Sequence, residues 1–166
     1  NQTPYHIYQK FAETHPAVNK RRELNAVTGA CLLIRRPLFT EAGGFDEGYV
    51  NGFEDVDLCF KVRERGHVIV YQPKSVVIHL ESQTPGRKQH DAENGRRLMQ
   101  RWGRTWWLVD DDSLYVSDGY KAVPVPRNGR IASDLRLLDG PQDQQAWTVV
   151  AETQQAAKRR DDAAVV

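Results

Sequence analysis

The sequence contains little that would mark a membrane protein, a secreted protein or a nucleic-acid-binding protein. No apolar run reaches the roughly 18–20 residues of a transmembrane segment, and no secretory signal peptide is visible. The 166 residues include 23 basic and 22 acidic side chains. A net charge of +1 gives no reason to expect a nucleic-acid partner or a membrane surface. What is left is a chain long enough for one domain with a hydrophobic core.

Cysteine is also scarce, and this argues against a disulfide framework. The two cysteines, Cys31 and Cys59, both lie in apolar contexts, which predicts reduced thiols in the core. Because disulfides are rare in the cytoplasm, we expect a cytoplasmic protein, with a peripheral position at the inner membrane face as the alternative. The chain begins with Asn1 instead of methionine, so we expect it to be a piece of a longer protein.

Hydrophobic patterning predicts an α/β protein. Three apolar runs are predicted to be strands buried on both faces: residues 25–35, 67–71 and 75–80. Four segments are predicted to be helices: residues 5–14, 37–42, 54–65 and 91–102. This order predicts a sheet with helices packed on it. Beyond residue 103 we expect an irregular segment rich in proline and glycine, then an amphipathic helix over residues 142–160.

The most informative feature is a cluster of three carboxylates, Glu54, Asp55 and Asp57, in the first turn of the helix predicted over residues 54–65. At about 100° per residue, Asp55 falls on the apolar arc, whereas Glu54 and Asp57 fall on the polar one. An inward carboxylate is costly unless it binds something, so Asp55 is predicted to be functional. It is suited to act as a general base. For Glu54 and Asp57, a purely structural role beside the helix dipole is an equal alternative.

Two other features each have a structural and a functional interpretation. His79 lies in a buried apolar strand, where a lone histidine is more often a hydrogen-bonded core residue than a metal ligand. The glycine-rich loop over residues 43–49 is either a turn with an exposed aromatic or a sugar-binding loop. In the second case Phe45 or Tyr49 stacks on a sugar face and Asp46 accepts hydrogen bonds from its hydroxyl groups.

Two charged segments are predicted to be solvated. The acidic triplet at residues 110–112 is predicted to be a solvated turn rather than a cation site. Four arginines are predicted to form an exposed basic face, with phosphate binding as the alternative: Arg96, Arg97, Arg101 and Arg104.

Taken together, these segments resemble the second half of the family 2 glycosyltransferase domain. Five blocks carry the resemblance: residues 27–36, Phe39 with 43–47, 54–59, 65–66 and 77–79. Their order and spacing make it specific over residues 25–80, and it continues more loosely over 81–120. The resemblance implies an α/β chain with part of a GT-A-like, Rossmann-related mixed sheet and flanking helices. An irregular and helical C-terminal tail would follow.

The resemblance also implies roles. Asp55 aligns with the general base of inverting members, and Glu54 assists on the acceptor side. His79 aligns with a ligand of the Mg or Mn ion that stabilises the departing diphosphate. The residues implied to bind the sugar and the acceptor are Thr28, Gly29, Ala30, Gly44, Phe45 and Asp46.

Family members begin with a nucleotide-binding α/β half that carries an Asp-x-Asp metal motif, and nothing before residue 25 resembles it. We therefore expect residues 1–24 to be a truncated lead-in, 25–105 the acceptor-side half, and 106–166 a C-terminal extension. The implied partners are a nucleotide-sugar donor and a glycan or lipid-linked acceptor. We expect the isolated chain to be inactive. The oligomeric state stays open, and a homodimer formed through an exposed sheet edge is one outcome.

The leading hypothesis is therefore part of a bacterial-type inverting glycosyltransferase for surface polysaccharide assembly. The alternative is a non-catalytic carbohydrate-binding or interaction module with a GT-A-like shell. A metal-dependent hydrolase using Asp55, Glu54 and His79 is disfavoured, because such enzymes usually show several further metal ligands in the same chain.

Overall fold

The computed structural model describes residues 4–80, 86–103, 111–127, 130–138 and 163–165. They divide into two compact units. The first contains the described residues of Asn1–Tyr5, Lys20–Val109 and Asp162–Val166, and the second those of His6–Asn19 and Asp110–Asp161. Each unit has its own buried hydrophobic clusters.

Helices and short strands are both present, which confirms the predicted α/β class. The helices are α1 (Arg36–Glu41), α2 (Glu54–Glu64), α3 (Asp91–Trp102) and α4 (Asp111–Ser117). The strands are β1 (Arg22–Leu24), β2 (Ile69–Tyr71), β3 (Ile78–Leu80), β4 (Tyr120–Arg127), β5 (Arg130–Leu137) and β6 (Ala163–Val165). They form three antiparallel pairs, β1–β2, β3–β6 and β4–β5. None of the helices described is long and apolar enough to cross a bilayer.

Local signals placed three helices correctly. Pro37 lies in the first turn of α1, where its missing N–H is not needed. The helix ends in two glycines with positive φ, and the Gly44 N–H donates to the Phe39 carbonyl at 2.9 Å. The third helix, α3, has Asp91 and Glu93 in its first turn, where they interact favourably with the helix dipole.

The strand predicted over residues 25–35 is wrong. This segment is a loop with one 3₁₀ turn, Gly29–Cys31. The Thr28 hydroxyl accepts a hydrogen bond from the Ala30 N–H, and the Asp55 carboxylate accepts one from the Gly29 N–H. Side-chain acceptors therefore satisfy backbone donors that a strand would have used in a ladder. The same loop leaves Cys31 exposed, so the prediction of a core thiol holds only for Cys59.

Two further predictions about the apolar segments are wrong. Residues 5–14 form turns instead of a helix, and Tyr8 and Lys10 have positive φ. The strands β2 and β3 exist, but they are shorter than predicted and are not buried on both faces. Val76 just before β3 is 58% exposed and Ile78 within it 73%. Both strands belong to two-stranded pairs. A pair of strands covers the side chains of its members less than a wide sheet would.

The core of the first unit lies on two sides of α2. On one side Leu58 and Val62 pack with Ala42. On the other, Phe60 packs with Leu98 and Trp102 of α3. The helix is therefore covered more widely than its sequence pattern suggests, because α3 lies against the arc that was predicted to be polar. Asp57 and Lys61, which the wheel places on that arc, are buried, whereas Glu64 and Arg65 are exposed.

The second unit is built around aromatic side chains. Its buried residues are Tyr8, Ala17, Tyr115 and Tyr120. The strands β4 and β5 form a hairpin with Tyr120 opposite Leu137, so the irregular segment predicted beyond residue 103 is wrong over this range. A two-stranded hairpin has only edge strands, which is why β4 tolerates its two prolines. Asp111 and Asp112 start α4 instead of forming a turn. Asp110 and the helix predicted over residues 142–160 lie outside the described residues.

Candidate active site

Asp55 is held between the start of α2 and the loop that contains Gly29. Its Oδ2 accepts a hydrogen bond from the Gly29 N–H at 2.7 Å, and its Oδ1 accepts one from the Val56 N–H at 2.8 Å. The side chain is half-buried, so it is neither a core residue nor freely solvated. These two backbone donors fix the direction in which the carboxylate points.

The loop predicted to hold the transferred sugar lies directly against Asp55. A Cβ atom added to Gly29 would be only 3.2 Å from the Asp55 Cβ, so the close approach favours glycine. Thr28 caps the 3₁₀ turn that contains Gly29 and Ala30. Cys59 of α2 supports the loop because its Sγ lies 3.7 Å from the Val27 carbonyl oxygen. Burial raises the pKa of this thiol to about 11, so it stays neutral at physiological pH.

Glu54 precedes Asp55 and is also half-buried. Its Oε2 is buried and has no hydrogen-bond partner within the described residues. A buried carboxylate oxygen is normally hydrogen-bonded, because leaving it unpaired is unfavourable. Glu54 therefore carries an acceptor atom that no donor of the described residues satisfies.

Asp46 is engaged by protein donors. The Arg97 Nη2 lies 2.9 Å from its Oδ1 and 2.8 Å from its Oδ2, and the Gly48 N–H donates to Oδ1 at 2.8 Å. The Arg97 hydrogen bond and then the Gly48 one hold the pKa of the Asp46 carboxyl below its ordinary value. In this structure Asp46 anchors the glycine-rich loop to α3, and its contact with a sugar hydroxyl stays a prediction.

The aromatic residues of the same loop differ in exposure. Phe45 is 46% exposed, and its ring packs edge-on against Phe39 with centroids 5.5 Å apart. Gly44 lies beneath it with φ +63°, close to the Phe39 ring. Tyr49 is buried in the cluster with Trp102, so its predicted alternative role in sugar stacking is wrong. Burial raises the pKa of the Tyr49 hydroxyl to about 12.

In the part of the chain that the structure describes, the predicted metal ligand belongs to no cluster of three possible ligands. His79 is the middle residue of β3, opposite Ala164, and is half-buried. Over the described ranges, no three His, Cys, Asp or Glu side chains come together in a way that could hold a metal ion. The residues described here do not form a metal site by themselves, and we assign no step to a metal.

Sequence reasoning missed the network around Asp57, the side chain that it placed on the polar arc. Asp57 is 0% exposed. Its Oδ1 accepts a hydrogen bond from the Trp102 Nε1–H at 2.8 Å, and its Oδ2 lies 2.9 Å from the Lys61 Nζ. The same ammonium donates to the Gly44 carbonyl at 3.1 Å. The (i, i+4) spacing of Asp57 and Lys61 was visible in the sequence, but their burial depends on the distant Trp102.

The third helix, α3, has two further contacts with this region, one with Val50 just after the glycine-rich loop and one with Gly48 within it. Asn94 is buried, donates to the Val50 carbonyl at 2.9 Å and accepts from the Val50 N–H at 3.2 Å. Arg97 passes so close to Gly48 that a Cβ there would clash with its guanidinium group. Arg97 and Arg101 are therefore not simply members of an exposed basic face. Both pair with Asp46, and Arg101 also lies 3.4 Å from the Asp57 Oδ1.

Asp46→Asn is expected to destabilise the protein at neutral pH and to have no effect in strong acid. Because the folded-state pKa of Asp46 is depressed, its contribution is complete above the ordinary value of 3.8. That contribution is lost as the pH falls through the folded-state value. The effect should be modest because Arg97 is nearly half exposed. Urea midpoints of parent and variant from pH 7 to pH 2 test this, and a gap that persists at the acid end would contradict it.

Comparison with known proteins identifies the family of this chain. A model of the glycosyltransferase-like family 2 matches residues 5–105. The chain belongs to this family. The predicted resemblance is therefore confirmed, and so is the partial GT-A-like character of the α/β chain. No solved structure matches.

Three relatives show how the match is distributed. An uncharacterised protein of Sinorhizobium fredii is 38% identical over 93 residues, 54% of this chain and 10% of the relative. The N-acetylglucosaminyl-diphospho-decaprenol L-rhamnosyltransferase of Mycobacterium tuberculosis is 41% identical over 66 residues, 40% of this chain and 22% of the relative. The O-antigen biosynthesis protein RfbC of Myxococcus xanthus is 37% identical over 57 residues, 34% of this chain and 4% of the relative. The matched segments thus span less than a quarter of each relative.

Proposed function

We propose that the chain supplies the acceptor side of an inverting glycosyltransferase, with Asp55 as the general base. One observation carries the proposal: in a member of family 2, the Asp55 carboxylate is fixed by the Gly29 N–H beside the loop predicted to hold the sugar. This geometry leaves a half-buried carboxylate aimed by the backbone, as proton abstraction in a defined direction requires.

The proposed reaction is a single displacement at the anomeric carbon of a nucleotide sugar. The acceptor oxygen forms the new bond to that carbon while its proton moves to the Asp55 carboxylate. The bond between the anomeric carbon and the diphosphate oxygen breaks, and the nucleoside diphosphate leaves. Glu54, whose Oε2 is buried and without a partner among the described residues, accepts a hydrogen bond from the incoming acceptor. The exposed ring of Phe45 provides the aromatic face on which the sugar stacks.

The names of two relatives support a proposal for the substrates. One relative is named for transfer of L-rhamnose to a diphospho-decaprenol carrying N-acetylglucosamine, and another for O-antigen biosynthesis. We propose a lipid-linked or polysaccharide acceptor and a nucleotide-activated deoxyhexose or hexose donor. A divalent metal on the diphosphate, a cytoplasmic location and a homodimer stay predictions. His79 would provide one metal ligand, and the others would come from elsewhere.

We further propose that activity needs a nucleotide-binding half in addition to this chain. A transfer assay tests both points, using a panel of nucleotide sugars and lipid-linked acceptors. The 166-residue chain is compared with a protein in which a family 2 nucleotide-binding half precedes it. We expect transfer only in the second. Transfer by the chain alone would overturn the requirement for that half. Binding of oligosaccharide without transfer in either form would favour the carbohydrate-binding module.

A further inference from the structure

We propose that Asp57 and Trp102 form a positioning pair that sets the direction of the Asp55 carboxylate. This inference rests on the proposed function, since it matters for catalysis only if Asp55 is the base. Helix α2 begins without a capping side chain. The residue that precedes the helix, Phe53, has φ 73° and makes no side-chain capping bond. The residue before α2 therefore provides no side-chain acceptor, and the Val56 N–H is accepted by Asp55 from within the first turn.

Asp57 supplies the missing attachment from within that first turn. Its backbone N–H donates to the Phe53 carbonyl at 2.9 Å, which makes it part of the first hydrogen-bonded turn. Its side chain is completely buried and receives the Trp102 Nε1–H at 2.8 Å. The other contacts of Oδ1 are longer, 3.5 Å to the Tyr49 hydroxyl and 3.4 Å to Arg101. Of these three contacts of Oδ1, the indole N–H of Trp102 is the shortest, and it joins the first turn of α2 to α3.

The position of Asp57 determines that of Asp55 because only one residue separates them in the same helical turn. A shift of the turn moves the Asp55 carboxylate relative to Gly29, whose N–H it meets at 2.7 Å. Gly29 and Asp55 are already close together, since a Cβ added to Gly29 would lie 3.2 Å from the Asp55 Cβ. A small displacement therefore weakens this hydrogen bond and re-aims the carboxylate. Misplacement of a reacting group by about 1 Å can lower a rate by about a hundredfold.

Trp102→Phe removes the donor while keeping an aromatic ring against Phe60, whose centroid lies 5.6 Å from that of Trp102. We expect kcat to fall by about tenfold to a hundredfold, with KM for both substrates within about twofold. Replacement of Trp102 by β-(3-benzothienyl)alanine exchanges only the N–H for sulfur and should give the same loss. The matched control is Leu98→Ala, a buried residue of the same cluster and helix whose apolar side chain cannot hydrogen-bond Asp57. It should destabilise the protein without this loss of kcat.

A readout independent of activity is hydrogen exchange of the Gly29 amide in the 166-residue chain. We expect Trp102→Phe and the sulfur analogue to accelerate this exchange, and Leu98→Ala to accelerate it no more than the amides in the middle of α2. Unchanged Gly29 exchange in both Trp102 variants would overturn the positioning role, as would equal losses of kcat in Trp102→Phe and Leu98→Ala. Absence of transfer by the parent enzyme, with the expected exchange pattern, would overturn only the proposed function.

Discussion

Asp57→Ala should lower the free energy of opening of α2 by about 3–5 kcal/mol, because it leaves a buried cation without its partner. The partner is Lys61, whose side chain is 7% exposed and lies 2.9 Å from the carboxylate that the substitution removes. The Trp102 N–H loses its acceptor at the same time. Hydrogen exchange of the Leu58 and Cys59 amides measures this energy directly, without assuming that the two units unfold together.

The control for Asp57→Ala is the double variant Asp57→Asn with Lys61→Met, which removes both charges. Its loss should be clearly smaller, since no buried charge remains unpaired and an amide oxygen is still present for Trp102. A loss below about 1 kcal/mol for Asp57→Ala, or an equal loss in the double variant, would show that an unpaired buried charge at this site does not determine the stability of α2.

Asp55→Asn should lower kcat by about a hundredfold to ten-thousandfold, the usual contribution of a general base. The amide keeps one oxygen that can accept from the Gly29 N–H, so the loop should stay in place while the ability to take a proton is lost. Its NH₂ group replaces the oxygen that accepts from the Val56 N–H, a bond within α2. The assay is steady-state transfer by the active form of the enzyme at saturating donor. KM for the donor should change little, because Asp55 acts on the acceptor.

Glu64→Gln provides the matched control, as Glu64 is an exposed carboxylate in the last turn of the same helix. It should retain the parent rate within about twofold, which is the scale expected for an exposed surface change. Hydrogen exchange of the Gly29 amide should be similar in parent and Asp55→Asn. A rate for Asp55→Asn within about threefold of the parent would remove Asp55 from the role of base.

The parts of the fold that the sequence predicts well are those whose signals are local. The first helix, α1, follows from Pro37 and the two glycines after it, and α3 follows from its acidic first turn. The second, α2, ends before Gly66 as expected. In each case a side chain or a backbone conformation within one turn decides where the helix starts or stops.

The predictions that are wrong concern residues whose surroundings are set by contacts far apart in sequence. A helical wheel assumes that one side of α2 faces solvent, so it placed Asp57 and Lys61 outside. Trp102 lies 45 residues away from Asp57 and reverses that assignment. Likewise, residues 25–35 look like a strand until the Asp55 carboxylate captures the Gly29 N–H. Neither contact could be inferred from composition or periodicity, since both depend on the docking of separate elements.

The candidate site was predicted in part. The wheel singled out Asp55 from its neighbours, and the structure places Asp55 beside Gly29 and the capping residue Thr28, although half-buried instead of in the core. Asp46 accepts a hydrogen bond from Arg97, which the sequence pattern had placed on an exposed basic face. The catalytic and binding roles of these residues, and the domain boundaries at residues 24 and 105, stay predictions.

The most direct test of the account is the anomeric configuration of the newly formed linkage, read by NMR from the product of the active enzyme. Displacement by an acceptor that Asp55 deprotonates is a single step on the face opposite the leaving diphosphate. The configuration of the transferred sugar must therefore be inverted relative to the donor. Inversion is the result that we predict. Retention of configuration would require a different mechanism and would contradict Asp55 as the general base.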